Sequence, residues 1–146
     1  MRSLSVYGVL TGGIVDVGSS VILSVPLSVY AMTRVGLANA PKGQVGAAIA
    51  RVMLANRALY TAALVIGLAC SILGGYVAAW IAKRDEMLNG ACSSVLCVAL
   101  GIYSMAFGKD SHALWVQILM FVASPACGLL GGYWKGRQRQ AIVLPA

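Results

Sequence analysis

One carboxylate stands inside a long apolar run. Asp16 is the only charged residue in 8–32, a stretch of 25 residues. Inside hydrocarbon an ionised acid costs about 3 kcal/mol or more, so an embedded Asp marks a proton or ion pathway unless a neighbour holds it. Counted at 1.5 Å rise per residue, it lies ~12 Å below the end of the run. Tyr76 and Tyr133, counted back from the basic residues after two later runs, fall near the same depth. A phenol can donate to a carboxylate, so Asp16, Tyr76 and Tyr133 form the candidate proton or ion site. No Lys or Arg lies within these runs to serve as counter-ion. The opposing reading is a protonated acid, hydrogen-bonded to Tyr, Ser or a backbone carbonyl and serving as packing glue.

The remaining reactive side chains point to no catalysis. Cys70, Cys92, Cys97 and Cys127 form no C-x-x-C pair, and there is no second histidine to complete a zinc set. They are expected to be buried small hydrophobes, without a disulfide. His112, the single histidine, has Ser111 and Asp110 beside it in sequence. That adjacency is not the geometry of a nucleophile triad. No P-loop, dinucleotide fingerprint or H-E-x-x-H occurs. Catalytic, cofactor-binding and metal-binding residues are therefore expected to be absent, and no cofactor is implied.

The elements that must position Asp16 are long and apolar. Residues 59–82, 87–108 and 113–134 carry no charge, over 24, 22 and 22 residues respectively. With 8–32 they make four runs, each long enough for a helix to cross a hydrocarbon core of about 30 Å. Sixty per cent of the chain is hydrophobic and ten per cent charged, with a mean hydropathy of +0.84. Fifteen charged side chains cannot coat a soluble domain of 146 residues. The expected fold is all-α: an integral membrane four-helix bundle, one membrane domain over 1–146. The net charge of +7 sits at the ends of the runs, where it meets anionic headgroups. No basic patch interleaved with aromatics suggests nucleic acid. The first run is too long, and too weakly basic in front, for a cleaved signal peptide. No lipidation pattern is present.

The connection 33–58 opens on turn chemistry at 39–43 and then reads as helix over 45–57, with Val45, Ala48, Ile49, Val52 and Met53 on one face. An interfacial helix and an early extension of the second span both fit. Four spans put both termini on one side. The basic residues divide six to five between the sides, and the clusters at 83–84 and 135–139 directly abut spans. We read the termini as cytoplasmic.

An octet occurs twice. Ala69-Cys70-Ser71-Ile72-Leu73-Gly74-Gly75-Tyr76 returns 57 residues later as Ala126-Cys127-Gly128-Leu129-Leu130-Gly131-Gly132-Tyr133, identical at six of eight positions. The copies fall in the second and fourth spans, which run in the same direction. The pattern is that of two parallel helical hairpins from a duplication. Small residues recur every fourth position in three spans, among them Gly12 with Asp16, then Gly67, Ser71 and Gly75, then Ser124, Gly128 and Gly132. Lipid tails offer helices no hydrophobic drive to associate, so close contact at small residues supplies it. Gly12, Gly67, Ser71, Gly75, Gly128 and Gly132 are the expected helix-packing positions. Pro125 should kink the fourth span, because it removes the donor to the carbonyl of Phe121.

Gly74-Gly75-Tyr76-Val77-Ala78-Ala79-Trp80-Ile81-Ala82-Lys83-Arg84, followed by Asn89-Gly90-Ala91, resembles a motif of uncharacterised small bacterial membrane proteins. In those, G-G-Y-x-A-A-x-I-A and a basic pair close one span and a short "hGA" sequence opens the next. Trp80 stands where a basic residue is common. The resemblance covers about a tenth of the chain and implies a four-span protein of the bacterial inner membrane with no assigned activity. The chain is also similar to small multidrug-resistance transporters in its span count and in the position of Asp16. It departs from them in having Asp rather than Glu, in lacking their surrounding aromatics and in its long first connection.

Two functional classes follow. One is a non-enzymatic multi-pass membrane protein acting in packing, assembly or partner recognition, with the lipid bilayer and a second copy or another membrane protein as partners. The other is a dimeric proton-coupled small-solute transporter that uses Asp16.

Overall fold

The computed structural model describes residues 4–35, 45–83, 85–107 and 114–143. The turn signal at 39–43 and the segment 108–113, His112 included, lie outside the described residues. All regular structure among the described residues is helical: α1 (Val6–Val35), α2 (Val45–Ala55), α3 (Arg57–Ala82), α4 (Glu86–Ser93), α5 (Val95–Phe107) and α6 (Leu114–Val143). Among the described residues, four stretches are long and apolar enough to cross a membrane, namely Val6–Thr33, Arg57–Ala82, Glu86–Tyr103 and Val116–Ala141.

Three of the differences from the segments read off the sequence have a physical reason. The helix expected over 45–57 stops at Ala55, and Asn56 intervenes before α3. Asn56 Oδ1 accepts from the amide of Ala58 at 3.1 Å and that of Leu59 at 3.4 Å, as an N-cap does. The third span departs from the regular α-helical pattern for one residue, Ser94, between α4 and α5, although its dihedrals stay right-handed helical at φ −74° and ψ −10°. The hydroxyl of Ser93 donates to the carbonyl of Gly90 at 2.7 Å, and the amide of Ser94 turns to Ala91 at 3.3 Å. The Ser93 hydroxyl competes in this way with the regular helical ladder. Finally, α6 runs nine residues beyond the apolar segment that ends at 134. Its tail carries Lys135, Arg137, Gln138, Arg139 and Gln140, straight-chain residues that favour a helix in water. Pro125 lies inside α6 and Pro26 inside α1, and both helices are assigned without interruption.

The chain divides into two compact units, one of Met1–Ser19 with Leu68–Ala146 and one of Ser20–Gly67. In the first unit, glycines set the packing. A Cβ added at Gly12 would meet Ala78 and Gly74 of α3 at 2.6 Å and Ser93 of α4 at 3.0 Å. One at Gly75 would strike Gly128 of α6, and one at Gly90 of α4 would come 3.1 Å from Gly132. The helices thus close a ring in which α1 touches α3 and α4, and α6 touches the same two. α5 joins through Gly101, where a Cβ would lie 2.6 Å from the Phe121 ring.

Polarity is inverted relative to a water-soluble core. The largest fully buried side chains are Asn89, Asp16, Cys70, Ser93 and Ser94, whereas Val6, Ile22, Leu100, Val122 and Trp134 are exposed. Small and polar groups fill the interior, and large apolar groups face outward.

Candidate functional site

Asp16 is 1 % exposed and lies one helical turn beyond Gly12. That turn carries it to the level where Gly74 of α3 leaves room, since a Cβ on Gly74 would sit 2.7 Å from the Asp16 Cβ. The hydroxyl of Ser71 reaches both carboxyl oxygens, 3.3 Å from Oδ1 and 3.1 Å from Oδ2. The thiol of Cys97 in α5 donates to Oδ2 at 3.1 Å. Ser71 Oγ also lies 3.0 Å from Ser124 Oγ of α6. Ser94, between α4 and α5, donates its hydroxyl to the carbonyl of Ser124 at 3.1 Å. Side chains from all four apolar stretches therefore meet around one carboxyl group. No buried side-chain oxygen or nitrogen among the described residues lacks a hydrogen-bond partner.

Ser71 carries one hydroxyl proton and has two neighbours, Asp16 and Ser124. If it donates to Asp16, then Ser124 donates to it. If Asp16 is protonated and donates to Ser71, the chain runs the other way, towards Ser124. Asp16, Ser71 and Ser124 thus form a short hydrogen-bonded chain within packed helices.

The two tyrosines are placed elsewhere. The hydroxyl of Tyr76 donates to Gln138 Oε1 at 2.9 Å and accepts from Lys135 Nζ at 3.4 Å. It faces the polar tail of α6, and the partners of Asp16 are Ser71 and Cys97 instead. Tyr133 is half exposed. Depth counting gave a level along the helix and no direction around it. The phenol of Tyr76 reaches outward along α6, to partners that span counting had placed beyond the apolar run.

No family model, no curated protein and no solved structure matches this chain.

The packing positions divide as well. Gly12, Gly75, Gly128 and Gly132 each sit where a side chain would collide with another helix. Ser71 is buried at the centre of the polar cluster. Gly67 differs: nothing lies within 4 Å of the Cβ it lacks, and it lines a cleft with Ser20, Ser24, Ala63 and Ile66. Four-residue spacing continued the stripe to Gly67 after the helix–helix contact had ended. Cys70, Cys92, Cys97 and Cys127 are free thiols. Among the described residues no three of His, Cys, Asp and Glu converge as a metal set would.

Sequence reasoning missed Cys97, Ser94 and Asn89. The signal for Ser94 was present in Ser93-Ser94, a polar pair inside an apolar run. Asn89 is fully buried, accepts from the Ser5 amide at 2.8 Å and donates to the Asp85 carbonyl at 3.1 Å. It ties the start of α1 to the turn between α3 and α4.

Proposed function

We propose that this chain is a multi-pass protein of a bacterial inner membrane, built from two related helical hairpins, whose role is assembly or partner recognition rather than catalysis. Large apolar side chains outside and small polar ones inside support insertion in lipid, since water would favour the opposite distribution. The observation that carries the non-catalytic role is the state of Asp16. It is enclosed by glycine-level helix contacts, and Ser71 and Cys97 bond its carboxyl group. Such an acid specifies how four helices meet. The test is purification from native membranes after mild cross-linking. A second copy or a discrete membrane protein should co-purify, and its removal should lower the melting temperature of the chain. A chain that is monomeric, equally stable alone and active in flux would overturn this reading.

One observation favours a second reading, a dimeric proton-coupled transporter of a small solute. The third span tightens locally at Ser94, whose amide bonds Ala91, beside the Asp16–Ser71–Ser124 chain, and such a stretch inside a helix often marks a functional position. Proteoliposomes enclosing a pH-sensitive dye separate the two. The second reading requires proton entry above that of empty liposomes and its loss in Asp16→Asn. The first requires neither.

A further inference from the structure

Beyond the Asp16 cluster, the structure builds a basic cleft where α3 turns into α4 against the tail of α6. The cleft encloses about 310 Å³ and is lined by Ala79, Trp80, Lys83, Glu86, Lys135 and Arg139. Its walls are held by defined contacts. Arg139 donates to the backbone carbonyl of Lys83 and pairs with Glu86 at 3.2 Å. Lys83 adopts a left-handed φ of 55° and Asp85 one of 45°. Lys135 Nζ sits 5.2 Å from the centroid of the Tyr76 ring and 6.0 Å from that of Trp80.

The charges divide unequally. Glu86 is matched by Arg139, whereas Lys83 and Lys135 have no ion-pair partner among the described residues. Two ammonium groups outside any ion pair among the described residues therefore line one cleft together with the Trp80 indole. Ammonium groups bind phosphate oxygens as point charges, without the planar match that carboxylates find in arginine. Trp80 is 60 % exposed at the end of α3, and tryptophan at that level packs well against the glycerol and upper acyl carbons of a lipid.

We propose that this cleft binds a phosphate-bearing anion, with Lys83 and Lys135 on the phosphate oxygens, Trp80 against the carbon skeleton, and Arg139 and Glu86 holding the turn in place. The membrane reading bears only on the source of the phosphate. Basic pockets at the cytoplasmic ends of spans take anionic headgroups, and a soluble phosphate offers the same oxygens.

The experiment titrates the full chain, in maltoside micelles, with short-chain phosphatidylglycerol, inorganic phosphate and uncharged diacylglycerol, read by tryptophan fluorescence and native mass spectrometry. Saturable binding of phosphatidylglycerol is expected, weakened about 10- to 30-fold by Lys83→Gln with Lys135→Gln. Lys135→Arg should retain it. Arg51→Gln with Arg57→Gln removes equal charge outside the cleft and should leave it unchanged. Circular dichroism and melting establish that each variant folds. Inorganic phosphate that competes at matching concentration identifies a soluble ligand, and competition by lipid alone identifies a headgroup. Both outcomes support the site. It is overturned if neither ligand saturates, if the double lysine variant binds as wild type does, or if diacylglycerol binds as tightly. Release of the chain from membranes by alkaline carbonate would instead sink the membrane reading, and the inorganic phosphate arm would still decide the cleft.

Discussion

At the scale of single residues, Asp16 separates a packing acid from a working one. Its carboxyl group has Ser71 and Cys97 as partners, and an amide of the same shape can still accept from Ser71. Asp16→Asn should therefore change stability by less than about 1 kcal/mol, whereas Asp16→Ala loses both bonds and leaves a void, costing about 1–3 kcal/mol. Unfolding by sodium dodecyl sulfate from mixed micelles measures both. A large loss in Asp16→Asn would mean that the cluster depends on a shared proton. The burial of Asp16 was legible in the sequence because a four-residue stripe sets one side of a helix. Its partners were not, because Ser71 and Cys97 are 55 and 81 residues away in the chain, and direction around a helix does not follow from depth.

Among the elements, the repeated octet does more than its sequence identity suggests. The two copies pack on each other: a side chain at Gly75 would strike Gly128, and one at Gly131 would meet the carbonyl of Ile72 and, at 2.8 Å, the amide of Tyr76. Adjacent glycines face different neighbours. Gly74 faces α1 and Gly75 faces α6, whereas Gly131 faces α3 and Gly132 faces α4. Equivalent positions therefore do not meet equivalent helices, and identity of sequence has not kept identity of contact. Spacing alone made Gly67 and Gly128 look alike, but only the second is closed in. Gly128→Ala would place a methyl 2.6 Å from Ser94 Oγ and should destabilise by about 1–3 kcal/mol. Gly67→Ala meets open space and should be neutral or stabilising by up to about 1 kcal/mol through helix propensity. Thermal melts of the two variants in one detergent test the contrast, and equal losses would refute the packing assignment. The irregularity at Ser94 escaped hydropathy for a related reason. A serine pair lowers the average of a span too little to mark it, yet the Ser93 hydroxyl on Gly90 and the Ser94 amide on Ala91 tighten that turn of helix.

For the whole molecule, charge and packing bear on orientation through different residues. Counted by sequence, the basic residues split six to five, which gives the positive-inside rule little to act on. The fold concentrates one set. Lys83, Lys135 and Arg139 converge around a single cleft at one end of the first compact unit, while Arg51 and Arg57 belong to the second unit. Basic residues count most when they directly abut a span, where they meet anionic headgroups and resist translocation. The end carrying the cleft should therefore face the cytoplasm. Green fluorescent protein fused after Val143 should fluoresce in bacterial cells, and alkaline phosphatase inserted between residues 108 and 113 should be active. Replacing Lys83, Lys135 and Arg139 with Gln leaves the opposite set in the majority and should shift part of the population to the reverse orientation, lowering fluorescence per molecule in the membrane fraction. Unchanged fluorescence in that variant would show that helix packing, rather than these charges, sets the direction of insertion.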